Sequence, residues 1–242
     1  MTLLTIADAI ADDTKGPRPA TIAANTNPDA QNILRIINKV GKTLIAKYPW
    51  NILREEHTFT APGVETILAA AARPTDFAHF IAETFWNRDD NNLLSGPVGP
   101  VEWAGLKVQT FSSQNKKFTD RGGDLLTQPV VEAGANMAFE YIKKNWVDIA
   151  AGGAEKAAFT LDTDVALIDE ELITRGGTYV WLKSEGQPFD DAKRDLKDYF
   201  DDLVENEISS GGVAVTADLF AQNTRHFTGD PKASRASYGG DF

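Results

Sequence analysis

Cysteine is absent from the 242 residues, which removes disulfide frameworks, thiolate nucleophiles and cysteine-ligated zinc from consideration. That composition suits assembly in a reducing cytoplasm. Histidine is nearly as scarce. His57, His79 and His226 stand apart with no His-x-x-x-His pair, so a metal site would have to be gathered from distant parts of the chain. No apolar run approaches the roughly 18 residues a membrane-spanning helix needs, and the opening segment runs into Asp12-Asp13 without a basic start, so no secretory leader is expected. Positive charge is the other deficit: 24 Lys and Arg face 35 Asp and Glu, leaving −11. Proteins that track a phosphate backbone draw affinity from counterion release by Lys and Arg. The balance therefore argues against sequence-specific DNA binding. It fits instead a wall that DNA slides past without sticking.

The familiar catalytic templates are missing as well. There is no phosphate-binding Gly-x-x-x-x-Gly-Lys-Ser/Thr loop, no Gly-x-Gly-x-x-Gly and no Gly-x-Ser-x-Gly elbow. The acidic turn Asp162-Thr-Asp164 does not continue as a calcium loop, because Leu167 and Ile173 occupy the positions of the required glycine and glutamate. It reads instead as a charge cluster at a helix N-terminus. Glu102 and Glu140 are the carboxylates that a glycosidase pair would use, but sequence spacing does not test their separation. With no supporting motif, the expectation is a protein without enzymatic activity, metal or cofactor.

What the chain does contain is enough to fold. Hydrophobic residues make up 42% of it and aromatics 10%, which excludes wholesale disorder. A first helix is expected from about Thr2 to Ala11, followed by a polar linker from Asp12 to Thr26. Asn27-Pro28 then marks a helix start, a capping side chain followed by proline in the first turn. Ile33, Ile36, Ile37, Val40 and Leu44 recur at helical spacing up to Lys47, and Pro49 stops the run.

From Ile52 the period changes. Glu55 to Thr60 reads as a strand, Pro62-Gly63 as a tight turn and Val64 to Leu68 as the partner strand. Phe77 to Phe85 fits either strand or helix. Gly96 to Trp103 is a turn entering a short helix near Val101 to Val108. Lys117 to Asp120, Leu125 to Gln128 and Asn136 to Val147 read as strands, with a Gly122-Gly123 hairpin turn. The last alternates Met137, Phe139 and Tyr141 on one face with Ala138, Glu140 and Ile142 on the other. Three tryptophans, Trp86, Trp103 and Trp146, lie in this middle region, and Trp50 leads into it. Exposed, they would stack on sugars; buried, they are core of a small β domain, the commoner fate of aromatics in strands.

Helical spacing returns with Val165, Ile168, Leu172, Tyr179 and Leu182, behind the acidic turn. A second helix is expected from Phe189 to Ile208, with Ala192, Leu196, Tyr199 or Phe200, and Leu203 inward, ended by Ser209-Ser-Gly-Gly212. The two make an αα-hairpin whose apolar side needs the helix from Pro28 to Lys47 as a cover. Residues 211–242 carry thinly spaced apolar side chains, too few for a core. A solvated terminus is one reading of them; the spaced aromatics favour the other, an arm that orders on a partner.

The fold expected is α+β: a helical bundle formed by N- and C-terminal helices, with an inserted antiparallel β domain and an extended C-terminal arm. The segments are 1–51 and 151–210 for the bundle, 52–150 for the insert and 211–242 for the arm.

A series of motifs adds to this reading. It runs Tyr48-Pro-Trp-Asn51, Glu55 to Gly63, Arg73-Pro-Thr-Asp-Phe77, Thr84-Phe-Trp-Asn87, Leu94-Ser-Gly-Pro97 and Glu102-Trp103. It continues with Phe139-Glu-Tyr-Ile-Lys-Lys-Asn-Trp-Val147, Phe159-Thr-Leu-Asp-Thr-Asp164 and Leu167-Ile-Asp-Glu-Glu-Leu172. In this order the series resembles the head-to-tail connector (adaptor) proteins of tailed bacteriophages, chiefly the short-tailed type. It spans about two thirds of the chain, from Tyr48 to Ile208. Arg73-Pro-Thr75 stands where a Leu-Pro pair is expected, and the segment after Gly212 aligns with nothing in the family. The resemblance implies a structural virion protein of the neck, assembled in the host cytoplasm. It implies a homo-oligomeric dodecameric ring between the portal protein above and the tail nozzle or tube below. Double-stranded DNA would pass through without sequence recognition, and no membrane is involved. The arm is expected to meet the portal through Phe220, Arg225, Phe227, Tyr238 and Phe242. The alternative is a carbohydrate-binding or tail-accessory module that uses the tryptophans.

Overall fold

A computed structural model describes residues 1–67, 73–108, 116–149 and 153–209. The first helix, α1 (Leu3–Thr14), starts where the Thr2 hydroxyl accepts the Thr5 N–H and ends where Lys15 adopts a left-handed conformation. Helix α2 (Pro28–Lys47) begins as its sequence dictates: the Asn27 side chain accepts the Asp29 N–H at 2.9 Å and Pro28 fills the first turn. Its buried face is Ile33, Ile36, Ile37, Val40, Gly41 and Leu44.

A short 3-10 turn, Asn51–Leu53, leads into the β region. The strands are β1 (Arg54–Thr60), β2 (Thr66–Ile67), β3 (Phe77–Phe80), β4 (Trp86–Asn87), β5 (Asn92–Leu93), β6 (Lys117–Arg121), β7 (Asp124–Gln128), β8 (Asn136–Lys143), β9 (Val147–Asp148) and β10 (Val165–Ala166). Helix α3 (Pro100–Val108) interrupts them, and α4 (Glu170–Ser184) and α5 (Asp190–Ser209) follow. All pairings between these strands are antiparallel. β8 is the axis of the largest sheet: β1 pairs along one edge from Arg54↔Ile142 to Thr60↔Asn136, while β3 and β4 share the other.

The architecture is the expected one, helices from both ends of the chain packed together with antiparallel sheets inserted between them. Three local expectations are corrected, and one left open is resolved. β1 does not form a hairpin with 64–67, the described part of the expected partner; it pairs with β8, while β2 turns away to β7. An isolated hairpin is marginal, and β8 offers cross-strand neighbours such as Met137 for Phe59 and Phe139 for His57. The segment from Phe77 to Phe85 is a four-residue strand followed by a turn. β8 stops at Lys143, and Val147 belongs to a separate pair with β10. That pair crosses the boundary expected near residue 150.

The third correction concerns α4. Asp162 and Asp164 do not cap it; Asp169 does, accepting the Leu172 N–H at 2.8 Å. Val165 is in a strand, and the buried face is Leu172, Ile173, Gly176, Gly177 and Trp181. The two glycines let α4 sit at the centre of the bundle. A methyl group at Gly176 would lie 2.5 Å from Val40 Cγ1 of α2, and one at Gly177 2.3 Å from Ile10 Cδ1 of α1. α5 completes the hairpin, burying Leu196, Phe200 and Val204.

Two apolar cores result. The helical core adds Ile142, Trp146, Val147 and Phe159 to the four long helices. The second core holds Ala61, Ile67, Phe85, Leu94, Phe118, Leu125, Val131, Met137, Phe139 and Tyr141. β8 feeds both, because successive side chains point to opposite faces.

Candidate functional site

The residues of the ordered motif series are mostly framework. Tyr48, Pro49 and Trp50 are buried where α2 meets β1 and α5. The Trp50 ring meets Tyr48 edge-on at 4.9 Å and Phe200 of α5 at 5.8 Å, and its Nε1 donates to the Leu44 carbonyl at 3.2 Å. The Asn51 N–H donates to Glu207 Oε2 at 3.2 Å. Burial, with the Glu207 charge second, pushes the Tyr48 hydroxyl up to about 12, so it stays protonated at any physiological pH.

The Phe159 to Asp164 turn ties the N-terminal segment to the bundle. Asn38 of α2 holds Phe159 by both its backbone groups, accepting the N–H at 2.8 Å and donating to the carbonyl at 3.2 Å. Asp162 Oδ1 accepts the N–H groups of Ile22 and Ala23, and the Asp164 carbonyl accepts that of Leu3.

A polar cluster in the β region centres on Tyr141. The Tyr141 hydroxyl lies 3.0 Å from Glu55 Oε2 and 3.1 Å from Asp76 Oδ1. Burial first, then hydrogen bonding to Glu55, holds its pKa far above the usual value. His57 stacks on Phe59 and meets Phe139 edge-on; burial lowers its pKa against the opposing pull of Asp76. The ring packs as an aromatic against Phe59, Phe139 and Tyr141. Glu102 and Glu140 do not share a partner: Glu102 pairs with Lys117 and Glu140 with Arg54. Among the described residues no group of three or more His, Asp or Glu side chains is placed to hold a metal ion, and no helix is long and apolar enough to cross a membrane.

Four of the five tryptophans are buried, and Trp50, Trp146 and Trp181 belong to the helical core rather than to the β domain. Trp86, 42% exposed, is the outlier. A sugar-stacking surface would rest on that ring alone. Acrylamide quenching should therefore resolve one accessible component in the tryptophan emission, and Trp86→Phe should abolish it. Ready quenching of the remaining four indoles would contradict the packing described.

Further surface features lie on the helices. Between α2 and α5, over α4, lies a cleft of about 230 Å³ lined by Lys39, Val40, Thr43, Leu44, Gly176, Tyr179, Val180 and Leu196. On either side of it the outward faces of α2 and α5 carry opposite charge. Sequence reasoning missed this, although the spacing of the charges was there to find. The arm residues Phe220, Arg225, Phe227, Tyr238 and Phe242 lie outside the described residues. No protein-family model matches the chain, and no curated protein matches it.

Proposed function

We propose that the protein is a structural subunit of a tailed-bacteriophage neck: a head-to-tail adaptor forming a ring between the portal and the tail nozzle or tube. The observation that carries the reading is where the ordered motif series falls. Tyr48 to Asn51, Phe139 to Val147 and Phe159 to Asp164 occupy the junctions that fix the helices against the β region. A rigid two-part subunit is what a closed ring needs, since small errors in subunit orientation accumulate around it. With twelve copies, each at −11, the channel repels the DNA backbone and lets the genome leave without being held. Aromatics of the 211–242 segment, with Arg225, anchor the ring to the portal. No cofactor or catalysis enters this role, which places the protein in the virion after assembly in the host cytoplasm.

Electron microscopy of the protein mixed with its portal tests the reading. A twelve-fold ring seated on the portal is expected. A protein that stays monomeric at every ratio of the two would overturn it. Truncation after Gly212 should abolish seating, and normal seating of the truncated chain would remove the arm from the account.

A further inference from the structure

On α2, Arg35, Lys39 and Lys42 follow one another at spacings of four and three residues. They form one row along the face opposite Ile33, Ile37, Val40 and Leu44. Arg35 donates to Asn32 Oδ1, and Lys39 and Lys42 have no ion-pair partner among the described residues. On α5 the matching row is Asp191, Asp195, Asp198, Asp202 and Glu205, opposite Leu196, Phe200 and Val204. Only Asp191 of these five is paired within the described residues, to Arg194. The row is about 21 Å long at 1.5 Å per residue. Carboxylates one turn apart repel each other, so this face is unfavourable in the isolated chain and gains from an external row of cations.

A head-to-tail contact requires two different, complementary patches on the same chain. We propose that the basic outer face of α2 on one copy docks against the acidic outer face of α5 on the next. Exposed ion pairs alone contribute little, and an interface needs an apolar centre. Apolar surface for it lies at the edges of the two rows: the cleft shares Lys39 with the basic row, and Ile208, exposed one turn past Val204 at the end of α5, lies beside Glu205. Closure of this contact into a ring rests on the adaptor reading; the contact itself needs only two copies of the chain. The competing occupant of the acidic row is DNA, repelled across a lumen.

Charge reversal in the full-length chain separates these cases. Lys39→Glu/Lys42→Glu and Asp198→Lys/Asp202→Lys should each lower the fraction assembled on the portal by about tenfold or more, because they set like charges face to face. The four substitutions in one chain restore opposite signs and should restore assembly. Circular dichroism of each exposed-face variant checks that the fold is kept. If wild-type rings form and both paired variants form them equally well, the docking proposal falls and the ring reading stands. The same holds if only the α5 variant assembles normally and its rings now retain DNA, which would place the acidic row in the lumen. A carbodiimide cross-link between Lys39 or Lys42 and Asp198 or Asp202 is read on mixed ¹⁴N and ¹⁵N protein. Hybrid-isotope links are expected even if no ring closes, which would sink the adaptor reading alone. Their absence from associated wild-type protein overturns the contact.

Discussion

Trp146→Ala is expected to cost about 3–5 kcal/mol of folding free energy, a large share of the roughly 5–15 kcal/mol that holds a typical domain folded. The ring is fully buried, meets Phe159 edge-on at 5.1 Å, and donates from Nε1 to the Ala157 carbonyl at 2.9 Å. It stands just past the end of β8, where the chain leaves the second core and enters the helical one. Its six-membered ring presses on α2 where that helix has no side chain: a methyl at Gly41 would lie 2.1 Å from Cη2. Gly41→Ala should therefore destabilise by about 1–3 kcal/mol through overpacking. In the Trp146→Ala background the same methyl has room, so the double variant should lose less than the sum of the two single losses. Urea unfolding followed by circular dichroism measures all three. Strict additivity would refute the proposed contact between ring and helix.

That contact also shows where the sequence was legible. Helix α2 was readable from end to end, because a capping Asn-Pro pair and a dense isoleucine stripe are local signals. α4 was not, since its inward face turns on Gly176 and Gly177. A hydrophobic pattern registers those residues as gaps, whereas packing uses them as close approaches. The partner of β1 is about 80 residues away in β8, and nothing local distinguishes it from the nearer segment after Pro62-Gly63. The tryptophans pointed to a β core by their neighbours in sequence. Trp50 and Trp146 nevertheless cross to the helical core, because each follows the end of a regular element and swings off its line.

The candidate site was legible in a different sense. The rows on α2 and α5 are written in the sequence as charges at three- and four-residue spacing, and their meaning depends on which side of each helix is buried. Ile37, Val40 and Leu44 fix that for α2; Leu196, Phe200 and Val204 fix it for α5. The aromatics of 211–242 drew attention first because aromatic anchors dominate many interfaces. A charged row on a regular helix is quieter, and it becomes informative only when four of its five carboxylates are found without ion-pair partners among the described residues.

Asp164→Asn is expected to destabilise the protein at neutral pH by about 3 kcal/mol, the low end for breaking a buried ion pair, since Lys156 is partly exposed and regains water. The carboxylate is fully buried and takes hydrogen bonds from Lys156 Nζ at 2.7 Å and from the Thr160 and Leu161 N–H groups at 2.8 Å each. Burial by itself would raise its pKa; the Lys156 hydrogen bond and the two backbone donors outweigh it, and the pKa falls below the usual carboxylate value. A depressed acid stabilises the fold fully above its unfolded pKa and loses that contribution as pH falls through the lower, folded one. The gap between wild type and Asp164→Asn should thus stay constant from neutral pH down to the carboxylate range and then close below it. Urea unfolding over that series measures the gap, and one that persists in acid would refute the electrostatic account. The same turn binds Leu3, Ile22 and Ala23, and through Phe159 it holds Asn38 of α2. Loosening it frees the helix that carries Arg35, Lys39 and Lys42, so on the proposed docking of α2 against α5, assembly should fail in acid before the β core unfolds.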